Sequence, residues 1–134
     1  MMTVLDTSAI MRLYIPDGPL PEGLEEAMHA AERGDINLIA PELALAEAAQ
    51  VLHKKHRQRL LSANEATTIL DHLLLLPIKY MPHAPLLVRA TALAQMVKLT
   101  VYDALFLALA ERYSARLITA DETLRAAAHK CHLL

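Results

Sequence analysis

Four acidic residues stand where this chain has the means to do chemistry: Asp6, Glu47, Asp103 and Asp121. Asp6 ends a short apolar run and is followed at once by two hydroxyl side chains, Thr7 and Ser8. A strand as short as 3–5 has room for little except packing, so the polar residues after it belong at the edge of the sheet. That edge is where α/β sheets place their ligands. Glu47 stands between Leu43 and Val51 at four-residue spacing, with Ala44, Ala48 and Leu52 alongside, and so falls within an apolar helical stripe. An unpaired carboxylate there is costly, and Glu47 requires a cation, a proton or a hydrogen-bond donor.

Each aspartate also has a purely structural explanation. Asp is a favoured N-cap, and all three stand where a helix is expected to begin. For Asp121 the case is doubled, because Thr119-Ala120-Asp121-Glu122 reads as a capping box. Taken together the residues say more, since the strands of a parallel sheet all end at one edge and bring Asp6 and Asp121 side by side if their strands are neighbours. Carboxylates gathered in this way repel and raise one another's pKa unless a cation neutralises them. Mg²⁺ or Mn²⁺, hard ions that take oxygen ligands and keep several waters, answer that need. Such a site suits phosphoryl chemistry, in which the metal polarises a phosphodiester and activates a water, and no nucleophilic side chain is needed. Cys131 is a lone cysteine near the end, and neither a Gly-x-Ser-x-Gly elbow nor a Gly-rich phosphate loop is present. Acyl transfer and nucleoside triphosphate hydrolysis therefore rank low.

The elements that must position these residues alternate. Strands are expected at 3–5, 37–40, 78–81 and 117–119, with 132–134 as a further edge strand. Helices are expected at 8–14, 22–33, 41–59, 62–76, 85–98, 102–113 and 121–130. Pro41 is placed in the first turn of the third helix, the box Ser62-x-x-Glu65 starts the fourth, and the sixth begins at Asp103. The pattern predicts an α/β fold, a parallel sheet of four to five strands between layers made of about seven helices.

Length and composition agree with one domain over 1–134: 54% of the 134 residues are hydrophobic and 21% charged, which is ample core material. The net charge of -2 argues against a general nucleic-acid coat protein, though not against an enzyme with a local basic patch. A lone cysteine forms no internal disulfide and points to a reducing compartment, the cytoplasm. No apolar run is long enough to cross a bilayer and the amino terminus lacks a signal-peptide layout, so a soluble, non-exported protein is expected.

The one dense basic run, His53-Lys54-Lys55-His56-Arg57, reads either as a guide for RNA phosphates, through Lys54, Lys55 and Arg57, or as a helix C-terminus that favours positive charge. His53 and His56 are spaced for a shared metal but lack a third ligand. Arg12, soon after Asp6, either contacts a phosphate or snorkels at the surface.

The chain resembles the PIN domain, and within it the small single-domain toxins of VapBC toxin–antitoxin pairs. Four blocks carry the likeness: Val4-Leu5-Asp6-Thr7-Ser8-Ala9, Pro41 followed by Glu47, Tyr102-Asp103-Ala104 leading to Ala108-Leu109-Ala110, and Leu117-Ile118-Thr119-Ala120-Asp121. The resemblance implies that Asp6, Glu47, Asp103 and Asp121 hold one or two Mg²⁺ or Mn²⁺ ions, and that Thr119 and Ser8 orient the carboxylates or the water. Thr7 is assigned to local structure. The resemblance further implies a ribonuclease acting through metal-activated water, a small antitoxin as partner in the active-site groove, and a homodimer. Phe106 replaces a commoner tyrosine and Lys98 a commoner small residue; neither belongs to the quartet. Three other readings compete. A phosphoaspartyl phosphatase expects a second Asp where Ser8 stands, a metal-dependent adhesion module expects a serine where Ile10 stands, and a scaffold without catalysis leaves the intact quartet unexplained.

Overall fold

Thr3, Val4 and Leu5 are buried on both sides, as a run without polar alternation requires. They form β1 (Met2–Leu5), the inner strand around which β2 (Asn37–Pro41), β3 (Ile78–Met81) and β4 (Arg116–Ile118) assemble. The computed structural model describes residues 1–134 and shows one parallel sheet in the order β3-β2-β1-β4. Leu5 pairs with Ile118 and Val4 with Ile39, so β1 and β4 end in the same row. The helices are α1 (Thr7–Arg12), α2 (Leu24–Glu32), α3 (Leu43–Arg57), α4 (Ala63–Leu74), α5 (Leu87–Val97, entered through a 3₁₀ turn over Ala84–Leu86), α6 (Val101–Arg112) and α7 (Glu122–Lys130).

Strand order locates the site before any side chain is considered. The chain moves outward from β1 to β2 to β3, then returns past both to lay β4 on the other flank of β1. With right-handed crossovers this reversal sends α5 and α6 to the opposite face from α1–α4. It also opens a crevice beyond the carboxyl ends of β1 and β4, the switch point at which ligands bind in open α/β sheets.

Helix α6 fixes the depth of that crevice. Every residue from Ala104 to Ala110 is buried, and the helix is apolar all round because it lies in the core, against the sheet and α5. Its alanines, Ala104, Ala108 and Ala110, let backbone approach backbone, while Phe106 and three leucines fill the space between. Asp103 directly precedes this buried run.

The expected alternation holds, with differences at element ends. Pro41 is not in a helix but closes β2, paired with Met81, and Glu42 N–H continues the ladder to the Met81 carbonyl at 2.8 Å. Alternation turns residue 41 towards β1, which pairs only as far as Ile39, so the missing proline N–H leaves no ladder bond unmade. Helix α6 begins earlier than expected, because Thr100 is its N-cap and accepts the Asp103 N–H at 3.1 Å. Residues 132–134 form no strand: His132 adopts φ 58° and breaks the extended run, leaving one bond from Leu117 N–H to the Leu133 carbonyl at 2.7 Å. The Ser62 and Glu65 box caps α4 as expected. No single helix is long and apolar enough to cross a membrane.

Candidate active site

A cleft of about 460 Å³ opens at the switch point, and Asp6, Glu47, Asp103 and Asp121 all line it, together with Thr7, Ser8 and Arg12. A larger cavity of about 680 Å³ lies around Arg116 and Leu133 and holds none of the four.

Asp6 is the anchored member. It caps α1, and its Oδ1 accepts the Ala9 N–H at 2.9 Å. Thr119 Oγ1 donates to its Oδ2 at 2.6 Å, and the Ser8 hydroxyl lies 2.8 and 2.9 Å from its two oxygens. The pairing of Leu5 with Ile118 makes this possible, since Asp6 and Thr119 are the next residues on the two strands. The hydroxyls are themselves oriented: Thr119 Oγ1 accepts the Asp121 N–H and Ser8 Oγ accepts the Ala120 N–H, both at 3.0 Å. Burial pushes the Asp6 carboxyl up to about 6; the bonds from Thr119, Ala9 and Ser8 work against that rise and the Asp121 charge adds to it.

Glu47 has a protein partner, and it is Thr7. The Thr7 hydroxyl donates to Glu47 Oε1 at 2.7 Å, tying α1 to α3. Thr7 therefore belongs to the site's architecture, a role the sequence did not suggest, because the contact spans forty positions. Ala44, Ala48 and Leu52 form the buried face of α3, whereas Leu43, Glu47 and Val51 are half-buried at its margin. Burial raises the Glu47 pKa and the Asp103 charge raises it further. Asp103 is likewise raised, by burial and then by Asp121.

Capping and site are now separable. Asp6 and Asp121 do cap helices, Asp121 Oδ1 accepting the Leu124 N–H at 3.1 Å. Asp103 caps nothing, because Thr100 does that work. None of the four forms an ion pair with a lysine, arginine or histidine. Their partners are hydroxyls and backbone N–H groups, so the negative charge of the cleft is left for something else to balance. The donor set is oxygen throughout and fits a hard divalent cation.

The basic residues divide. Arg12 lines the cleft. Lys55 reaches it indirectly through an ion pair with Asp17 at 3.0 Å, while Lys54 and Arg57 stand exposed outside it in the last turn of α3. His53 and His56 share no metal-ligating group of three, and His56 Nδ1 faces the Leu61 carbonyl at 3.0 Å.

A 3-2-1-4 parallel sheet with an acidic, hydroxyl-buttressed cleft at its switch point defines a class, and this chain belongs to the PIN-domain family: the PIN domain matches residues 3–130. Ribonuclease VapC3 of Pyrobaculum aerophilum is 37% identical over 126 residues, 92% of this chain and 92% of that protein, which places the chain among VapC-type PIN proteins. The crystal structure of PAE2754 from Pyrobaculum aerophilum shares the fold with a TM-score of 0.71 at 23% identity, over 95% of this chain and 84% of that one.

Proposed function

We propose that this chain is a metal-dependent endoribonuclease and the toxin of a toxin–antitoxin pair. The observation that carries the reading is the set of four carboxylates at the switch point with no cationic side chain bonded to any of them. Similarity to a protein named ribonuclease VapC3 supports RNA as substrate and an antitoxin as partner.

Asp6, Glu47, Asp103 and Asp121 are the groups that would hold Mg²⁺ or Mn²⁺. No three of them close on a common point at ligand distance, so an ion there would be held directly by few of them, with waters completing its shell. The chemistry gained from an ion held there would be polarisation of a phosphodiester and a lowered pKa for a bound water. The chain's own residues supply the geometry. Thr119 and Ser8 hold Asp6 to one rotamer through both its oxygens. Thr7 aims Glu47 across from α3, and α6 presents Asp103 from a core helix that cannot shift without opening the sheet. A phosphoaspartyl mechanism fits poorly, since both oxygens of Asp6 are already engaged and the residue is 5% exposed. We extend the proposal to a homodimer in a reducing cytoplasm.

The test is purified protein with single-stranded RNA and Mg²⁺ or Mn²⁺, cleavage being lost with a chelator and with Asp103→Asn. Cleavage that survives either treatment overturns the reading.

A further inference from the structure

A cleft lined by five carboxylates, the four above and Asp17, repels a polyanion. An RNA strand entering it needs a positive guide beyond any bound ion, and a single residue of the lining is positively charged: Arg12. Its guanidinium pairs with no carboxylate, not even Asp17 beside it, and its one bond is from Nη1 to the Pro19 carbonyl at 3.0 Å. Most of its donors are left free.

The guanidinium packs on the loop after α1: a Cβ at Gly18 would lie 2.5 Å from Arg12 Nη1 and 3.1 Å from Cζ, so a side chain at residue 18 would push the arginine tip out of this seat. Asp17, next to that glycine, pairs with Lys55 of α3 at 3.0 Å, which ties the loop to α3 beside the cleft. On the far side of Arg12 lies a second cavity of about 410 Å³, and the two cavities share Arg12 and Asp17 as walls. Arg125 lines this second cavity, paired with the exposed Glu22 at 3.3 Å, and Thr119 and Ala120 line it as well. Glu122 also lines it, so the cavity is not a general basic patch. Its uncommitted cation is the arginine at the junction.

We propose that Arg12, seated in the Gly18–Pro19 loop, is a phosphate clamp that leads single-stranded RNA from the carboxylate cleft into the second cavity. It is a binding residue, not part of the cleavage chemistry. It stands six positions after Asp6, a rise of about 9 Å along the helix axis, so it holds a phosphate neighbouring the scissile one. The proposal rests on the ribonuclease reading, and extends it to a second phosphate subsite.

The experiment measures RNA cleavage kinetics and, by fluorescence anisotropy, RNA binding at several salt concentrations. Arg12→Ala should raise KM about tenfold or more, the loss of a charge-assisted bond, with kcat within about threefold. It should also flatten the slope of log K against log salt by about 0.7, one phosphate contact on a single strand. Arg12→Lys should restore the slope and only part of the affinity, because the charge returns without the forked donor. Gly18→Ala, which displaces the guanidinium without removing it, should raise KM in the wild type and add nothing in an Arg12→Ala background. Arg33→Ala, an exposed arginine paired with Asp35, is the control for general charge loss. A protein that cuts RNA with Arg12→Ala unchanged in KM and slope overturns the clamp alone, as do additive Gly18 and Arg12 effects. A protein that binds RNA through Arg12 without cutting it overturns the nuclease reading alone, and one that does neither overturns both.

Discussion

Thr119 and Asp6 directly follow the ends of two neighbouring strands, and the threonine hydroxyl donates to Asp6 Oδ2 at 2.6 Å while accepting the Asp121 backbone N–H at 3.0 Å. One side chain thus bonds one acidic residue and the backbone of another. It also holds the Asp6 pKa below the level that burial alone would set.

Thr119→Val keeps the shape and removes the hydroxyl. The Asp6 pKa should then rise further, so the acid limb of the pH–rate profile moves to higher pH. The Asp121 N–H loses its partner, at a cost of about 1–3 kcal/mol where it is shielded from water. Thr119→Ser should restore both the profile and the melting temperature; an unmoved acid limb in the valine variant would show that Thr119 does not act through Asp6.

Thr7 offers a cleaner separation of site from fold, because it is half-buried and its bond to Glu47 at 2.7 Å is its one side-chain contact of this kind. Thr7→Val should lower kcat by roughly tenfold, the worth of one oriented hydrogen bond to a charged group, and move the melting temperature by only a few degrees. Thr7→Ser should recover the rate. A variant with full kcat would show that Glu47 needs no orienting.

How much of this was legible in the chain depended on the range of the interaction. The strand–helix alternation, the parallel sheet and all four carboxylates could be read from local pattern, because apolar runs and capping residues act within a few positions. Thr7 reads as local structure in the sequence, since its partner is forty residues away and only the packing of α1 on α3 brings them together. The role of Thr100 is hidden in the sequence because Asp103 is an equally good cap by type. Pro41 was misplaced because its tolerance in β2 depends on where a different strand stops.

Asp121 combines a cap with a place in the cleft, and substitution can divide the two. Asp121→Ser keeps a side-chain acceptor for the Leu124 N–H and removes the carboxylate, so stability should hold within a few tenths of a kcal/mol while cleavage is lost. Asp121→Ala should lose cleavage and also about 1 kcal/mol of stability. Thermal unfolding beside an RNA assay reads both; a serine variant with wild-type activity would return Asp121 to a capping role only.

At Asp6 the demands of site and stability conflict. Its carboxyl titrates from the ordinary 3.8 up to about 6 on folding. The folded state therefore binds more protons than the unfolded chain between these values, and stability must fall as pH rises through that window. The contribution is fully present below about pH 4 and gone above about pH 6, and the interval corresponds to roughly 3 kcal/mol. Asp6→Asn should accordingly flatten the stability–pH curve over this window and raise the melting temperature of the metal-free protein at neutral pH, even as it abolishes cleavage. The gain should fall short of the full amount, because the amide NH₂ cannot accept the Thr119 proton. Mg²⁺ should reverse the ranking, raising the melting temperature of the wild type by mass action while leaving Asp6→Asn unmoved. If the asparagine variant melts lower than wild type in chelator at pH 7, then the hydrogen bonds to Asp6 outweigh the cost of burying its charge, and the aspartate is structural before it is catalytic.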